Sequence, residues 1–178
     1  PPPVRSYLQE IQARGVPVHS VGKVGQLFAG VGIDVEHPGA TNERALDATS
    51  ELIAELDHGF VFVNLIETDQ VYGHRHDFEG FAEALRRIDD RVTRWLERLG
   101  HQDLLILTAD HGCDLTSPRT DHTREQAPLL AGFAGHGGRR HDGVLADVGA
   151  SVLAWLAGGA EAPDLPGHSF LWAVRPFL

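Results

Sequence analysis

The stretch DLLILTADHGCDLTSPRTDHTRE, residues 103–125, joins a short apolar run to a polar segment rich in carboxylates and imidazoles. The apolar part has the length and composition of a buried β-strand. In an open parallel sheet the ligand site lies outside the carboxyl ends of the strands, so functional side chains are expected directly after a buried strand. The stretch therefore predicts an α/β fold with a functional site at the end of this strand.

The rest of the chain alternates between helical and strand periodicity, without an internal repeat. Helices are predicted where apolar residues recur every three or four positions, over 4–14, 43–57, 77–99 and 144–158. Strands are predicted at the short apolar runs 16–22, 60–66, 103–109 and 127–133. Such alternation predicts a mostly parallel sheet with helices on both faces.

Three details of this pattern are expectations of their own. The run FVFVNLI (60–66) is continuously apolar, so we expect a strand covered on both faces. The segment 25–33 is predicted to be a short helical or turn element, because glycines interrupt it. The glycine-rich segment 132–143 is predicted to be a mobile loop.

Composition restricts the class of protein. The chain has 178 residues, enough for one domain with a sizeable core, and carries 25 acidic against 15 basic residues. The resulting net charge of −10, without a local basic patch, argues against a nucleic-acid partner or an anionic membrane surface. A single cysteine, Cys113, excludes an internal disulfide and fits a reducing compartment. No apolar run approaches the ~18 residues of a membrane span, so we expect a soluble, cytoplasmic protein.

The chain begins with PPPVRSYLQE and contains no methionine. We therefore expect it to be a piece of a longer polypeptide or a processed product.

Five candidate metal ligands follow two of the predicted strands. Asp69 and His74 come after the strand at 60–66, and Asp110 and His111 come directly after the strand at 103–109, with His122 eleven residues further on. Carboxylate and imidazole groups together suit Mn²⁺ or Zn²⁺. The five side chains are enough for two ions if another ligand or a substrate oxygen completes the second site, and two ions a few Å apart are the usual arrangement for phosphoryl transfer.

Three residues beside these ligands also have predicted roles. Cys113 is predicted to be a small buried packing residue rather than a soft metal ligand. Asp121 and Glu125 flank His122, and either carboxylate could accept a hydrogen bond from a ligand imidazole. Solvated loop residues are an equally good description of both.

Three segments together carry a resemblance to a known family. LTADHGCDLTSPRTDHTRE (107–125), FVNLIETDQVYGHRHD (62–77) and VGKVGQLFAGVGI (21–33) resemble the phosphopentomutases of the alkaline phosphatase superfamily. The DHG step, the DHTRE step eleven residues later and the D-x-x-x-Y-G-H pattern have the order and spacing of that family. The likeness extends from about residue 10 to the C-terminal GHSFL.

The resemblance implies an alkaline-phosphatase-like core and the isomerisation of ribose 1-phosphate and ribose 5-phosphate, or the deoxyribose equivalents, with two divalent ions, expected to be Mn²⁺. It implies one ion held by Asp69, His74 and His122, and another held by Asp110 and His111. In the family a phosphorylated threonine bridges the ions, and this threonine, a further aspartate and an inserted cap domain all lie outside the segments matched here. Residues 1–178 are therefore expected to be the C-terminal portion of the metal-bearing core, with the N-terminal portion as the missing partner.

The match to the family has local departures, none of which removes a predicted ligand. The family tends to have Asp-Phe at Glu67-Thr68, Arg at His76 and Pro-Thr-Trp at 115–117, and an Arg-Glu-Thr-Phe pattern at 142–145. Two alternatives therefore remain open. One is a related phosphohydrolase or cofactor-independent phosphoglycerate mutase, and the other is a noncatalytic metal-binding remnant or interaction module.

Overall fold

The computed structural model describes residues 5–118, 121–133 and 139–171. The strands in these residues are β1 (Val18–Val21), β2 (Val35–His37), β3 (Phe60–Val63), β4 (Leu105–Thr108) and β5 (Leu129–Gly132). The α-helices are α1 (Tyr7–Gln12), α2 (Val24–Leu27), α3 (Asn42–Glu55), α4 (Phe78–Leu96) and α5 (Ala146–Leu156). A π-helix (Thr68–Tyr72) and a 3₁₀-helix (Gly73–Arg75) connect β3 to α4.

The strands form two sheets in the described part of the chain. β1 is the central strand of the first sheet and pairs in parallel with β2 and β3, with Val18 opposite Phe60. β4 and β5 form a separate antiparallel sheet, with Leu105 opposite Gly132. The predicted α/β class with a parallel sheet is confirmed. The parallel sheet is smaller than predicted, because β4 and β5 pair with each other and not with β3.

Helices cover both faces of β1, as the sequence predicts. Val18 is fully buried in a cluster with Leu8 and Ile11 of α1 and with Leu153 of α5. Val21, three residues further along the strand, packs on the opposite side with residues of α3. Alternation of side chains along the strand therefore places two layers of helices around one sheet.

A third apolar cluster connects the two sheets. Leu46 of α3 packs against Trp95 of α4, and residues Leu65, Leu105 and Leu107 lie around them. The indole N–H of Trp95 donates to the Ser50 hydroxyl at 2.9 Å, which satisfies its polar atom within the contact. The cluster holds the segment after β3 and strand β4 beneath the same pair of helices.

Side-chain caps begin both long helices close to their predicted positions. The hydroxyl of Thr41 accepts from the backbone N–H of Arg44 at 3.3 Å at the start of α3. The carboxylate of Asp77 accepts from the N–H of Gly80 at 2.9 Å at the start of α4. Each cap satisfies a backbone donor that has no partner within the helix.

The first sheet differs from prediction in two ways. β3 ends at Val63, and Phe62 in the middle of it is 36% exposed, so the expectation of a strand covered on both faces is wrong. Among the described residues, β3 is an edge strand with β1 as its neighbour, and the face that carries Phe62 is only partly covered. Strand β2 is absent from the prediction because it has three residues, VEH, and no apolar run.

The remaining predicted elements are shorter than expected or only partly described. α1 begins at Tyr7, and Val4 of the predicted helix lies outside the described residues. α2 and the turns after it match the short helical or turn element predicted at 25–33. The predicted mobile loop at 132–143 includes 134–138, which lie outside the described residues. Among the described helices, none combines the length and apolar character needed to cross a membrane.

Two histidines face each other between β1 and β2. Nδ1 of His19 lies 3.0 Å from Nε2 of His37, and the two rings stack with centroids 5.3 Å apart. This hydrogen bond requires one ring to donate and the other to accept, so it cannot persist when both rings are protonated. Burial, followed by the charge of His37, lowers the pKa of His19, while Asp34 opposes the shift.

We predict that acidification destabilises this chain through His19. Because the folded-state pKa of His19 is below its unfolded value of about 6.5, the unfolded state binds more protons. The contribution of His19 is therefore fully present above that pH and is lost as the pH falls through it. Urea unfolding of the metal-free chain between pH 7.5 and 5.5 measures the slope, which His19→Gln should flatten and the exposed His58→Gln should leave unchanged. An equal slope in the wild-type chain and His19→Gln would contradict the prediction.

Candidate metal centre

The predicted ligands come from two segments that follow β3 and β4. Asp69 lies in the π-helix after β3, and His74 lies in the 3₁₀-helix that continues from it. Asp110 and His111 follow the last residue of β4, and His122 lies further along the same loop. The ends of the two strands therefore meet at one place, although the strands belong to different sheets.

Asp69 lies at the centre of this arrangement. Its Oδ1 atom is buried and has no hydrogen-bond partner among the described residues. Nε2 of His74 and Nε2 of His122 each lie 3.4 Å from this oxygen. A carboxylate oxygen between two imidazole nitrogens is thus the first element of the candidate site.

His111 completes a group of three close ligand atoms. Asp69, His111 and His122 each offer one ligand atom, and these atoms lie within 4.8 Å of one another. The rings of His111 and His122 stack with centroids 3.5 Å apart and an angle of 14° between their planes. Nδ1 of His111 lies 3.1 Å from the carbonyl oxygen of Gly112, a contact that orients the ring when Nδ1 carries the proton.

Asp110 lies at the border of the group. Its carboxylate Oδ1 is 3.5 Å from Nε2 of His111, and its side chain is 76% exposed. The family resemblance implies that Asp69 and His122 hold one ion and that His111 holds the other. The close group therefore combines residues from both implied ion sites. The division into Asp69, His74 and His122 for one ion and Asp110 and His111 for the other remains a prediction.

These distances fit a divalent cation better than direct hydrogen bonds. A hydrogen bond from nitrogen to oxygen is about 2.7–3.2 Å long, which is shorter than the 3.4 Å separations around Asp69. Two ligand atoms that both lie about 2.1 Å from one ion are about 3.0–3.4 Å apart, for octahedral and tetrahedral angles respectively. A buried carboxylate oxygen without a donor is also costly unless a positive charge compensates it. The donor set and its spacing therefore fit Mn²⁺ or Zn²⁺.

A short backbone bridge brings His122 back to the end of β4. Thr123 pairs with Gly112, since the N–H of Thr123 donates to the carbonyl of Gly112 at 3.0 Å. The Thr123 hydroxyl accepts from the N–H of Asp114 at 3.0 Å. A Cβ atom on Gly112 would lie 3.0 Å from Glu125 Oε2 and 3.1 Å from its backbone nitrogen, so a side chain at this position would require a small shift of Glu125. Sequence reasoning gave Thr123 no such role, because its effect depends on a contact across the loop.

Cys113 is exposed, so the prediction that it is a buried packing residue is wrong. Its sulfur lies close to the other ligand segment: a Cβ atom on Gly73 would be 3.0 Å from Cys113 Sγ. Partial burial, followed by the charges of Asp69 and Asp114, raises the pKa of the thiol. The thiol is therefore protonated at neutral pH when no cation is bound.

The two carboxylates that flank His122 have different surroundings. Glu125 lies against the backbone of Gly112, and Asp121 is exposed. Their expected role as acceptors for a ligand imidazole remains a prediction.

Lys23 is a further residue at this edge that sequence reasoning missed. Its ammonium donates to Oε1 of Gln70 at 2.8 Å, next to Asp69 in the π-helix. Lys23 is the only lysine in a chain with fourteen arginines, and it follows β1 by two residues. A lysine that occurs once in the sequence, at the carboxyl end of a strand, is the feature by which Lys23 could have been noticed.

The comparisons with known proteins agree with a metal-dependent site. Residues 12–157 match the family model described as the metalloenzyme superfamily. A phosphopentomutase of Anaeromyxobacter dehalogenans strain 2CP-1 is 44% identical over 170 residues, which cover 86% of this chain and 44% of that protein. One of Shewanella loihica is 42% identical over 175 residues, which cover 96% of this chain and 42% of that protein. The chain thus spans less than half the length of these relatives.

A solved structure supports the fold alone. A protein of Pyrococcus horikoshii superposes with a TM-score of 0.57 at 23% identity, covering 70% of this chain and 34% of that one. The shared fold agrees with the α/β arrangement described above. Because the superfamily model covers most of its residues, the chain belongs to the metalloenzyme superfamily.

Proposed function

We propose that this chain is the metal-bearing C-terminal portion of a phosphopentomutase, which interconverts (deoxy)ribose 1-phosphate and (deoxy)ribose 5-phosphate. The observation that carries the proposal is the convergence of Asp69, His111 and His122, whose ligand atoms lie within 4.8 Å of one another. The similarity to phosphopentomutases over nearly the whole chain supports the choice of substrate class. A cytoplasmic location is part of the proposal and fits the single cysteine.

We propose two Mn²⁺ ions as the cofactors. Asp69, His74 and His122 would hold one ion, and Asp110 and His111 would hold the other. Two such ions stabilise the charge that develops on a phosphoryl group during transfer. The histidines would bind the ions as neutral imidazoles.

The nucleophile of this proposal lies outside the chain. Hydroxyls near the candidate site are engaged in local hydrogen bonds: Thr68 donates to the carbonyl of Leu65 at 3.2 Å, and Thr116 donates to the Asp114 carboxylate at 2.6 Å. The Thr123 hydroxyl accepts from the Asp114 N–H within the loop bridge. These hydroxyls stabilise turns, which supports a threonine nucleophile in the N-terminal portion of the longer protein.

The open edges of the sheets support a missing structural partner. β3 and β4 end at the same site and pack beneath the same helices, yet no strand joins them in the described residues. Phe62 on β3 is 36% exposed and Leu130 on β5 is 64% exposed. Unpaired strand edges with apolar side chains invite pairing with another segment, and we propose that the N-terminal portion of the core provides it.

The first test concerns the ligands in the full-length protein. We expect Asp110→Asn and His111→Ala each to lower Mn²⁺ affinity at least tenfold and to abolish most turnover, because each removes a group that would contact the same ion. Elemental analysis of purified variants and a coupled assay for ribose 5-phosphate measure the two effects. The exposed His58→Ala is the matched control and should keep wild-type values. Full metal content with a wild-type rate in either ligand variant would refute the assignment.

The second test concerns the nucleophile. We predict that the 178-residue chain shows no mutase turnover with Mn²⁺ and a sugar bisphosphate, because it lacks the phosphorylated threonine that the reaction requires. The full-length protein, assayed side by side, should convert ribose 1-phosphate to ribose 5-phosphate. Mass spectrometry then locates the phosphorylated residue. Turnover by the chain alone, with phosphate on one of its own threonines, would show that the nucleophile lies within this chain and would contradict the proposal.

The third test concerns the open edges. We predict that the isolated chain self-associates with increasing concentration, since one edge of β3 is unpaired among the described residues. Phe62→Lys should reduce the association, because a charge at an edge strand opposes pairing. Leu85→Lys is the matched control, as Leu85 is 49% exposed on α4, away from the strands. Size-exclusion chromatography with light scattering gives the masses, and a wild-type monomer at every concentration would contradict the prediction.

A further inference from the structure

Asp69 lies in an unusual backbone conformation. The segment Thr68–Tyr72 is a π-helix, which closes its hydrogen bonds over five residues instead of four. Such turns are rare, and they occur frequently at functional sites. Contacts with other parts of the protein hold this turn at both of its ends.

Asn42 and Glu67 form a reciprocal pair of hydrogen bonds at the start of this π-helix. The backbone N–H of Asn42 donates to Glu67 Oε2 at 2.6 Å, and the backbone N–H of Glu67 donates to Asn42 Oδ1 at 3.0 Å. Asn42 is the first residue of α3 and is 7% exposed, and Glu67 directly precedes the π-helix. We call this pair the Asn42–Glu67 clasp. It attaches a long helix to the residue before the turn that carries Asp69.

The other end of the π-helix is held by packing. A Cβ atom on Gly80 would lie 2.3 Å from Cδ1 of Tyr72, so the Tyr72 ring lies directly against the backbone of α4. The two ends of the π-helix are thus attached to two different α-helices. Asp69 lies between these attachments, and its position depends on both.

Hydrogen bonds rather than dense packing hold the start of the π-helix. A cavity of about 80 Å³ lies beside the clasp, with Asn42, Glu67 and Tyr72 in its lining. Nδ2 of Asn42 is buried and has no hydrogen-bond partner among the described residues. On the side of this cavity the segment has few packing contacts, and there the two clasp hydrogen bonds are the directional contacts that hold it.

We propose that Glu67 is a positioning residue for the metal centre: through the Asn42–Glu67 clasp it holds the π-helix in the conformation that directs Asp69 toward His74 and His122. The inference rests on the proposed metal site. The carboxylate suits this role because it accepts a charge-assisted hydrogen bond at the N-terminus of α3, where the helix dipole favours a negative group. Glu67 is not one of the three described residues in the close ligand group.

The test measures Mn²⁺ affinity and backbone exchange in the 178-residue chain. Glu67→Ala removes the acceptor and should raise the Kd for Mn²⁺, measured by the EPR signal of free Mn²⁺, about tenfold. Glu67→Gln keeps an acceptor of similar length and should restore the Kd to within about twofold of wild type. Asn42→Ala removes the other acceptor and should also raise the Kd. Hydrogen exchange of the 68–72 amides should accelerate in both alanine variants.

A matched control separates positioning from general stability. Glu10 is a buried carboxylate on α1 that pairs with Arg14 at 2.6 Å, and Glu10→Gln should lower the unfolding midpoint without changing the Kd. Wild-type Kd and wild-type exchange in folded Glu67→Ala would overturn the proposal. Loss of the fold in Glu67→Ala together with a wild-type Kd in folded Asn42→Ala would assign the clasp to stability and would also overturn it.

The same experiment distinguishes this inference from the proposed function. A wild-type chain that binds no Mn²⁺ would refute the metal site, whatever the variants do. Accelerated exchange at 68–72 in the alanine variants would then still support the clasp as the holder of the π-helix, and unchanged exchange would refute it.

Discussion

One oxygen of the Asp69 carboxylate lies buried between the imidazole nitrogens of His74 and His122, and no described residue donates a hydrogen bond to it. Removing a negative charge from water costs several kcal/mol unless a positive charge or donors replace the solvent. The neighbouring imidazoles lie too far away to donate short hydrogen bonds, but they lie at the separation expected for ligands of one cation. A divalent cation bound between these groups would supply the compensating positive charge.

Several close backbone approaches make this arrangement possible. Gly73 lies where the segment after β3 meets Cys113 in the loop after β4, and Gly112 lies where that loop turns back through Thr123. At either glycine a side chain would make tight contacts with the neighbouring segment, which would have to shift by a few tenths of an ångström. The positions of the ligands thus depend on residues that have no chemistry of their own.

The sequence placed the candidate ligands after two strands, but it did not predict how those strands pair. Asp69 and His111 were identifiable because each follows an apolar run, and the rule that sites lie after parallel strands needs only the direction of each strand. Strand β2 was not identifiable, since a three-residue strand leaves no periodic pattern. The exposure of Cys113 was missed for a different reason, because it depends on how the loop closes through Thr123 and Gly112.

The π-helix and the Asn42–Glu67 clasp were beyond prediction because they arise from contacts between residues 25 positions apart. Local propensity describes neither a five-residue helical turn nor a hydrogen bond to another helix. The family pattern even differs here, since Glu67 and Thr68 replace the residues that the family tends to have. The sequence shows that Glu67 and Thr68 differ from the expected pattern. The paired hydrogen bonds with Asn42 are what give Glu67 a physical role.

The division of the strands into two sheets affects how firmly the two ligand segments are held relative to each other. Within the first sheet, backbone hydrogen bonds fix β3 against β1. The clasp then fixes the segment between β3 and Asp69 against α3. Between β3 and β4 the described connections are apolar clusters, one around Leu46 and Trp95 and one around Val18, and apolar contacts have no directional preference. The distance from Asp69 to His111 therefore depends on packing, whereas the orientation of each segment depends on hydrogen bonds. A cation shared by both segments, or a strand placed between β3 and β4, would supply the directional interaction that packing alone does not.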